Sequence, residues 1–385
     1  MQAVDVAMSN RQLDIWRSIE QFREHRAAWD DLWLRSTVVS PAARSGPLMA
    51  WLEHFAASGW IQVFAVRRGQ DLVGALPLVS SRYRGVLPVA GLPRNSWCYA
   101  GELLLEPHDE NTAACELILD ACRATRMPLL RLENIPLSAP HWRTFLAVLD
   151  KQQTRLTRKH TFTVGTIEVG GDWEAFQNRC SRNHRKKMKR RGRRLQRIGD
   201  VEFNVYDRLA VEEVAPLLHR GFKVEHRSWK GAARSSVLAA EGLFDFFCLQ
   251  AEALAAQGHL CLSFLSCGGE PIAFEYGWLA KNTYFSCKVG YDDRFARYSP
   301  GNVLLWRLLE YFHGVAQVDR IDLVGPLTES TQHLATGCYP VGHVTAASGR
   351  KGLVTGGVLG LLSLSARRSE CELPSGLDAT LTAGP

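Results

Sequence analysis

Two stretches of the chain, about 200 residues apart, share one hydrophobic grammar. Val63 to Leu78 reads VFAVRRGQDLVGALPL and Leu262 to Gly277 reads LSFLSCGGEPIAFEYG. Each runs as an apolar strand, a turn around Gly69 or Gly268 and a second apolar strand, a pattern that predicts a β-hairpin. Each is then followed by an amphipathic helix and another strand. In the first half these are NTAACELILDACRAT and PLLRLENIP, and in the second GNVLLWRLLEYFHGV and DRIDLVGP. A hairpin, a helix and a closing strand used twice predict duplicated α+β domains, expected over residues 13–165 and 166–346. Between them lie helical patterns: Trp173 to Ile198, then LAVEEVAPLLHRGFKVEH and FDFFCLQAEALAAQG.

Residues 347–385 change character. GRKGLVTGGVLGLLSLSARR is Gly-rich and apolar but too short for the roughly 20 apolar residues that span a bilayer. A poorly ordered, loosely docked tail is expected, with peripheral lipid contact as the alternative. The start, MQAVDVAMSNRQLDIW, lacks the charged and apolar regions of a signal peptide. Length suits two domains, and 46% apolar with 22% charged residues is ordinary for a globular protein. Ten cysteines are scattered without CxxC or Cys/His metal spacing. A reduced, cytoplasmic protein without structural disulfides or zinc is therefore expected.

Charge is distributed unevenly. The formal net charge is +7, yet Arg179 to Arg197 holds eleven Lys or Arg and no acid, so the remaining chain carries −4. Around that window Phe176, Cys180, His184, Met188 and Leu195 recur at four or seven residues and fall on one helical stripe, and the other faces are almost wholly cationic. Like charges four residues apart repel, so something negative is expected to compensate. The acidic remainder of the chain, a phosphate-rich ligand, or a nucleic acid or anionic membrane are the candidates. No compact fold with a base-reading recognition helix is apparent, so sequence-specific DNA binding is not expected.

Two further stretches carry candidate chemistry. KVEHRSWKGAARSS surrounds Trp229 with Glu225, His226, Arg227 and Lys230, mixing an apolar anchor with titratable groups. In CKVGYDDRFARYSPGNVLLWRLLEYF a strand ends near Gly290 and SPGN opens an amphipathic helix. Ser299 suits its cap and Pro300 its first turn. The free amides expected at Gly301, Asn302 and Val303 would form an anion site with Ser299.

Taken in order, SRNHRKKMKRR, EHRSWKG, GGEPIAFEYG, KVGYDDRFARYSPGNVLL and IDLVGP resemble the BioF2-like, or CelD (BcsL)-like, acetyltransferase domain. That domain is a branch of the GNAT superfamily that occurs as tandem folds and is related to the FemABX aminoacyltransferases. The resemblance covers about 150 residues well, from Trp173 to Gly325, and about 300 in outline. It implies tandem GNAT-like domains of mixed sheets flanked by helices, and an acyl thioester lying along a splayed strand, either Pro271 to Leu279 or its neighbour Thr283 to Val289. It places the donor's pyrophosphate on Ser299, Gly301, Asn302 and Val303. Aminolysis needs a base, an acid and an oxyanion donor. On this sequence the resemblance assigns Glu275 or Glu225 as base and Tyr291 or Tyr284 as acid. Trp229, Lys230, Lys288 and Asp292 are assigned to substrate, and Arg182, Arg185, Lys186, Lys189 and Arg190 to phosphates. The phosphate loop is reduced to RYSPGN, and no Lys follows Gly325 in PLTESTQHL.

The function expected is transfer of an acyl group, most simply from acetyl-CoA and without a metal, to an amine on a polysaccharide or envelope precursor. The acceptor would be a small molecule or a lipid- or nucleotide-linked sugar. The alternatives are an aminoacyl-tRNA-dependent transferase and a non-catalytic GNAT-derived scaffold whose basic helix holds RNA or anionic lipid.

Overall fold

The computed structural model describes residues 11–56, 59–83, 87–107, 111–125, 127–152 and 156–347. The apolar tail lies outside them. The first half runs β1 (Arg11–Trp16), α1 (Ile19–Glu24), α2 (Arg26–Arg35), α3 (Ser45–Phe55), β2 (Ile61–Arg68), β3 (Asp71–Tyr83), β4 (Leu87–Gly91), β5 (Leu104–Leu105), α4 (Asn111–Ala124), β6 (Leu129–Pro136), α5 (Pro140–Lys151) and β7 (Leu156–Glu168). The second half runs α6 (Trp173–Arg179), α7 (Arg182–Gln196), β8 (Val201–Tyr206), α8 (Val211–His226), α9 (Trp229–Ala232), α10 (Leu243–Ala255), β9 (Leu260–Cys267), β10 (Glu270–Ala280), β11 (Thr283–Tyr291), a 3-10 turn (Asp293–Tyr298), α11 (Pro300–His313), β12 (Arg320–Pro326), α12 (Glu329–Gln332) and β13 (Gly337–Ala347).

One mixed sheet joins everything, in the order β1-β2-β3-β4-β6-β13-β7-β12-β11-β10-β9-β8. The order is symmetric about its centre, and each half repeats the same parts. β2–β3 and β9–β10 are the two expected hairpins. Gly268 and Gly269 both take positive φ, as a two-residue type I′ connection requires. β4–β6 and β11–β12 are parallel pairs, with α4 or α11 in the crossover. The final strands are exchanged: β7, which closes the first half, pairs with β12, while β13, which closes the second, pairs with β6. The 165/166 junction falls inside β7.

The core has three parts. On one face α1–α3 of the first half and α8 and α10 of the second bury Trp29, Trp33, Phe222, Phe246, Phe247 and Tyr276 in a continuous cluster. Gly46 of α3 sits so close to α10 that a Cβ there would lie 3.0 Å from Ala253 Cβ. On the other face each half keeps its own cluster, under α4 and α5 or under α6, α7 and α11. The segment Trp173–Ile198 is two helices, because Cys180 and Ser181 take extended backbone angles and Ser181 caps α7 through the amide of His184. Phe176, Cys180, Met188 and Leu195 are buried and His184 half-buried, so the cationic helix docks by the expected stripe.

Candidate active site

β11 and β12 pair only from Thr283–Arg320 to Phe285–Asp322 and then part. β10 is paired along both edges, to β9 and to β11, so of the two strands expected to splay it is β11 that carries the open edge. A β-bulge between Tyr276 and Gly277 skips Cys287 in the β10–β11 register, and bulges re-aim side chains. The Lys288 ammonium is aimed at the α8/α10 face, 4.8 Å from the Trp97 ring centroid of the first half and 5.6 Å from that of Phe247. Burial pulls its pKa down, partly offset by Glu225.

Glu225 is 1% exposed at the end of α8. Its Oε1 lies 3.1 Å from Lys230 Nζ and 3.6 Å from Lys288 Nζ, and its Oε2 accepts the Val237 amide at 3.0 Å. Lys230 also donates to the Val289 carbonyl at 3.1 Å, tying this cluster to the end of the open strand. Two glycines permit it: a Cβ on Gly231 would meet the His226 carbonyl at 1.8 Å, and one on Gly290 would meet Glu225 Cα at 2.7 Å. Trp229, beside them, is 51% exposed.

The opposite face, under α11, holds the other carboxylate. Glu275 is 1% exposed and accepts the Tyr284 hydroxyl at 2.9 Å. Burial raises its carboxyl to about 7 against the opposing hydrogen bonds of Ser286 and Tyr284. Tyr284 is fully buried, its ring 4.5 Å from that of Phe312. The sheet therefore separates Glu275 and Tyr284 from Glu225, Lys230 and Lys288. Asp292 is completely buried and caps the 3-10 turn, holding Arg294 at 2.8 Å and Arg227 at 3.5 Å. Burial works against its ionisation, but the Arg294 hydrogen bonds prevail and lower its pKa.

The first turn of α11 abuts the open strand: a Cβ on Gly301 would lie 3.7 Å from Tyr291 Cδ1 and 3.8 Å from Val289 Cγ1. Tyr291 is half-buried, and burial raises its pKa. Ser299 adopts left-handed angles (φ 53°, ψ 58°) and makes no side-chain cap. The amides of Asn302 and Val303 both donate to the Ser299 carbonyl, at 3.1 and 3.2 Å. The expected row of free amides thus shrinks to that of Gly301, because Pro300 has none.

Cations surround this turn instead. Arg297 and Arg194 of α7 both stand over the Tyr298 ring, at 4.8 and 5.2 Å from its centroid. Arg185 donates to Asn178 at 2.6 Å, whereas Arg182, Lys186, Lys189, Arg190 and Arg193 are exposed. Among the described residues, no carboxylate comes within ion-pair distance of any Lys or Arg on α7. The acids of the described residues do not neutralise the helix by direct pairing.

The sequence reading passed over Asp322. This residue stands on β12 where β11 departs, is 7% exposed, and is held by the Val324 amide at 2.7 Å and the Tyr339 hydroxyl at 2.9 Å. The signal was present, as an acid inside the strand RIDLVGP. Among the described residues no group of three or more His, Cys, Asp or Glu could hold a metal, and the nine described cysteines are free.

An opened parallel pair beside a helix start is the arrangement the motif resemblance implied. Residues 182–330 match the Acetyltransferase (GNAT) domain family. The matched stretch runs from α7 into α12 and contains Asp322 with every candidate named above from Arg182 to Val303. No curated protein sequence matches the chain significantly. Among solved structures, FemX superposes with a TM-score of 0.53 at 11% identity, covering 84% of this chain and 95% of that one. The C-terminal domain of a candidate lysylphosphatidylglycerol synthetase from Agrobacterium fabrum superposes with a TM-score of 0.54 at 11% identity, covering 90% and 96%. At such identities the likeness shows the fold, and it extends over both halves.

Proposed function

We propose that the protein is an N-acyltransferase that moves an acyl group, most simply acetyl from acetyl-CoA, to an amine. The observation that carries this is the parting of β11 from β12 after Phe285–Asp322, with the Gly301 amide at the far end of the open strand. A thioester laid along that edge would find backbone N–H groups for its developing oxyanion. Its phosphates would lie between the start of α11 and Arg194 and Arg297. Lys230 and Lys288, both ion-paired with Glu225, shape the wall opposite α11. A polysaccharide or envelope precursor as acceptor rests on the motif resemblance alone.

A second reading of the donor has its own support. The cation row of α7 is longer than one pyrophosphate needs and meets no carboxylate among the described residues, and at the start of α11 the Ser299 carbonyl already takes the amides of Asn302 and Val303. An aminoacyl-tRNA would use both features, and the resemblance to FemABX aminoacyltransferases points the same way.

Calorimetry with acetyl-CoA, followed by mass spectrometry of products from a panel of amines, tests the first reading. Micromolar binding and an N-acetylated product are expected. Absence of binding at millimolar acetyl-CoA, together with transfer from aminoacyl-tRNA, would replace the donor. Absence of transfer from either would end the enzyme assignment.

A further inference from the structure

The duplication supplies an internal control for the closing strands. Aligned on Pro136 and Pro326, β6 and β12 share a kink: Asn134 has φ 48° and Val324 has φ 56°. A β-branched residue at positive φ is an outlier that costs about 1–3 kcal/mol. Two positions earlier, Leu132 of the first half corresponds to Asp322 of the second. Leu132 is fully buried, as a packed strand prefers. The second half puts a carboxylate in the same slot, where burial raises its pKa to about 6 despite the bonds from Val324 and Tyr339. Among the described residues no Lys or Arg lies within ion-pair distance of it. A buried carboxylate without a cation opposes folding, and this one stands where the sheet opens.

Resting on the acyl-transfer reading, we infer that Asp322 is the group that takes the proton from the acceptor amine, with Tyr339 as the positioning residue that aims it. The nitrogen lone pair forms the C–N bond at the thioester carbonyl, and its electron pair moves onto oxygen. An N–H proton passes to an Asp322 oxygen. The carbonyl re-forms, the C–S bond breaks with its electrons on sulfur, and the proton is handed to the departing thiolate, giving an amide and free thiol. The titratable and charged groups around Asp322 are Arg320 on its own strand, Cys287 of β11, and Tyr339 of β13, which itself faces Glu102. Lys288 of β11 is held by Glu225.

The test is steady-state kinetics of the full chain with acetyl-CoA and whichever primary amine it acetylates, as a function of pH. Asp322→Asn removes a buried charge and is expected to fold. It should bind acetyl-CoA within about twofold of wild type and lose about 10²–10⁴ in kcat. The acid limb of the wild-type profile, expected near pH 6, should vanish with it. Asp322→Glu should recover part of the rate. Tyr339→Phe removes a bond to the ionised carboxylate and should move the acid limb to higher pH. An Asp322→Asn enzyme within threefold of wild-type kcat, with the same pH profile, overturns the inference and leaves the acyl-transfer reading intact. Wild-type protein that acetylates no amine overturns the acetyl-CoA reading and this inference together.

Discussion

Glu275 shows how a side chain of suitable chemistry can be placed out of reach. It sits on a central strand under α11, closed in by Tyr284 and Ser286, and its folded pKa of about 7 exceeds the ordinary carboxylate value because burial dominates. A raised folded pKa means that the native state holds the proton more tightly than the unfolded chain. The stability this gives is complete below about pH 4.5 and is lost as pH rises through 7. Glu275→Gln keeps an acceptor for Tyr284 and removes the titration. Relative to wild type it should gain stability between pH 5 and pH 8, by up to about 3 kcal/mol. Urea titrations at the two pH values read this out, and equal effects at both would show that the folded and unfolded states release this proton alike, so that burial does not hold it on Glu275. The sequence could not assign the face: alternation in EPIAFEYG places Glu275 opposite Phe274, but not which of them lies beneath a helix. Lys288 was legible only as a lysine near a strand end, because its direction depends on a bulge and its aromatic neighbour Trp97 lies almost 200 residues away. Asp322 escaped because one acid in a short strand is common, and its meaning emerges only beside Leu132.

Among the elements, α7 was the most legible and remains the most consequential. Its stripe fixes which side faces the protein, so Arg182, Lys186, Lys189, Arg193 and Arg197 form one outward ridge about 22 Å long at 1.5 Å per residue. The ridge contributes little to folding, since exposed substitutions usually move stability by less than about 0.5 kcal/mol. The triple change Lys186→Glu, Lys189→Glu and Arg193→Glu should leave thermal unfolding nearly unchanged. If the donor is a tRNA, it should lower the slope of log affinity against log salt by about 2–3. Filter binding over a salt series measures that slope, and an unaltered one would mean that the polyanion lies elsewhere. By contrast Leu195→Ala, on the buried side, should cost about 2–5 kcal/mol without touching ligand affinity directly. The start of α11 was less legible. SPGN does open a helix, but the Ser299 carbonyl, as the cap of that helix, accepts two of the amides expected to be free.

At the scale of the molecule, the repeat of hairpin, helix and strand was written in the sequence, while the exchange of closing strands was not. β7 and β13 find partners through registers that no local pattern encodes: β13 pairs with β7 from Gly337–Thr166 to Ala346–Leu156 and with β6 along its other edge. Each half therefore depends on a strand from the other. The clustered aromatics of α2, α3, α8 and α10 run without a break across the junction. Lys281 adds a clasp, donating to the carbonyls of Trp33, Ser36 and Val38 at 2.6, 2.8 and 2.9 Å. Such coupling predicts one cooperative unfolding transition rather than two, despite a length that suits two domains. It also predicts that truncation after Thr336 is not a local lesion. Losing β13 strips β6 and β7 of a shared partner and exposes two long facing edges at the centre of the sheet, a template for association between chains. The truncated protein should aggregate or unfold, and calorimetry of the full chain should give a van't Hoff enthalpy equal to the calorimetric one. A soluble truncated monomer that still binds acetyl-CoA would show that the second half closes its own sheet with β7 alone. Donor binding would then not depend on β13, and only the proton transfer assigned to Asp322 would be left to feel the loss of Tyr339.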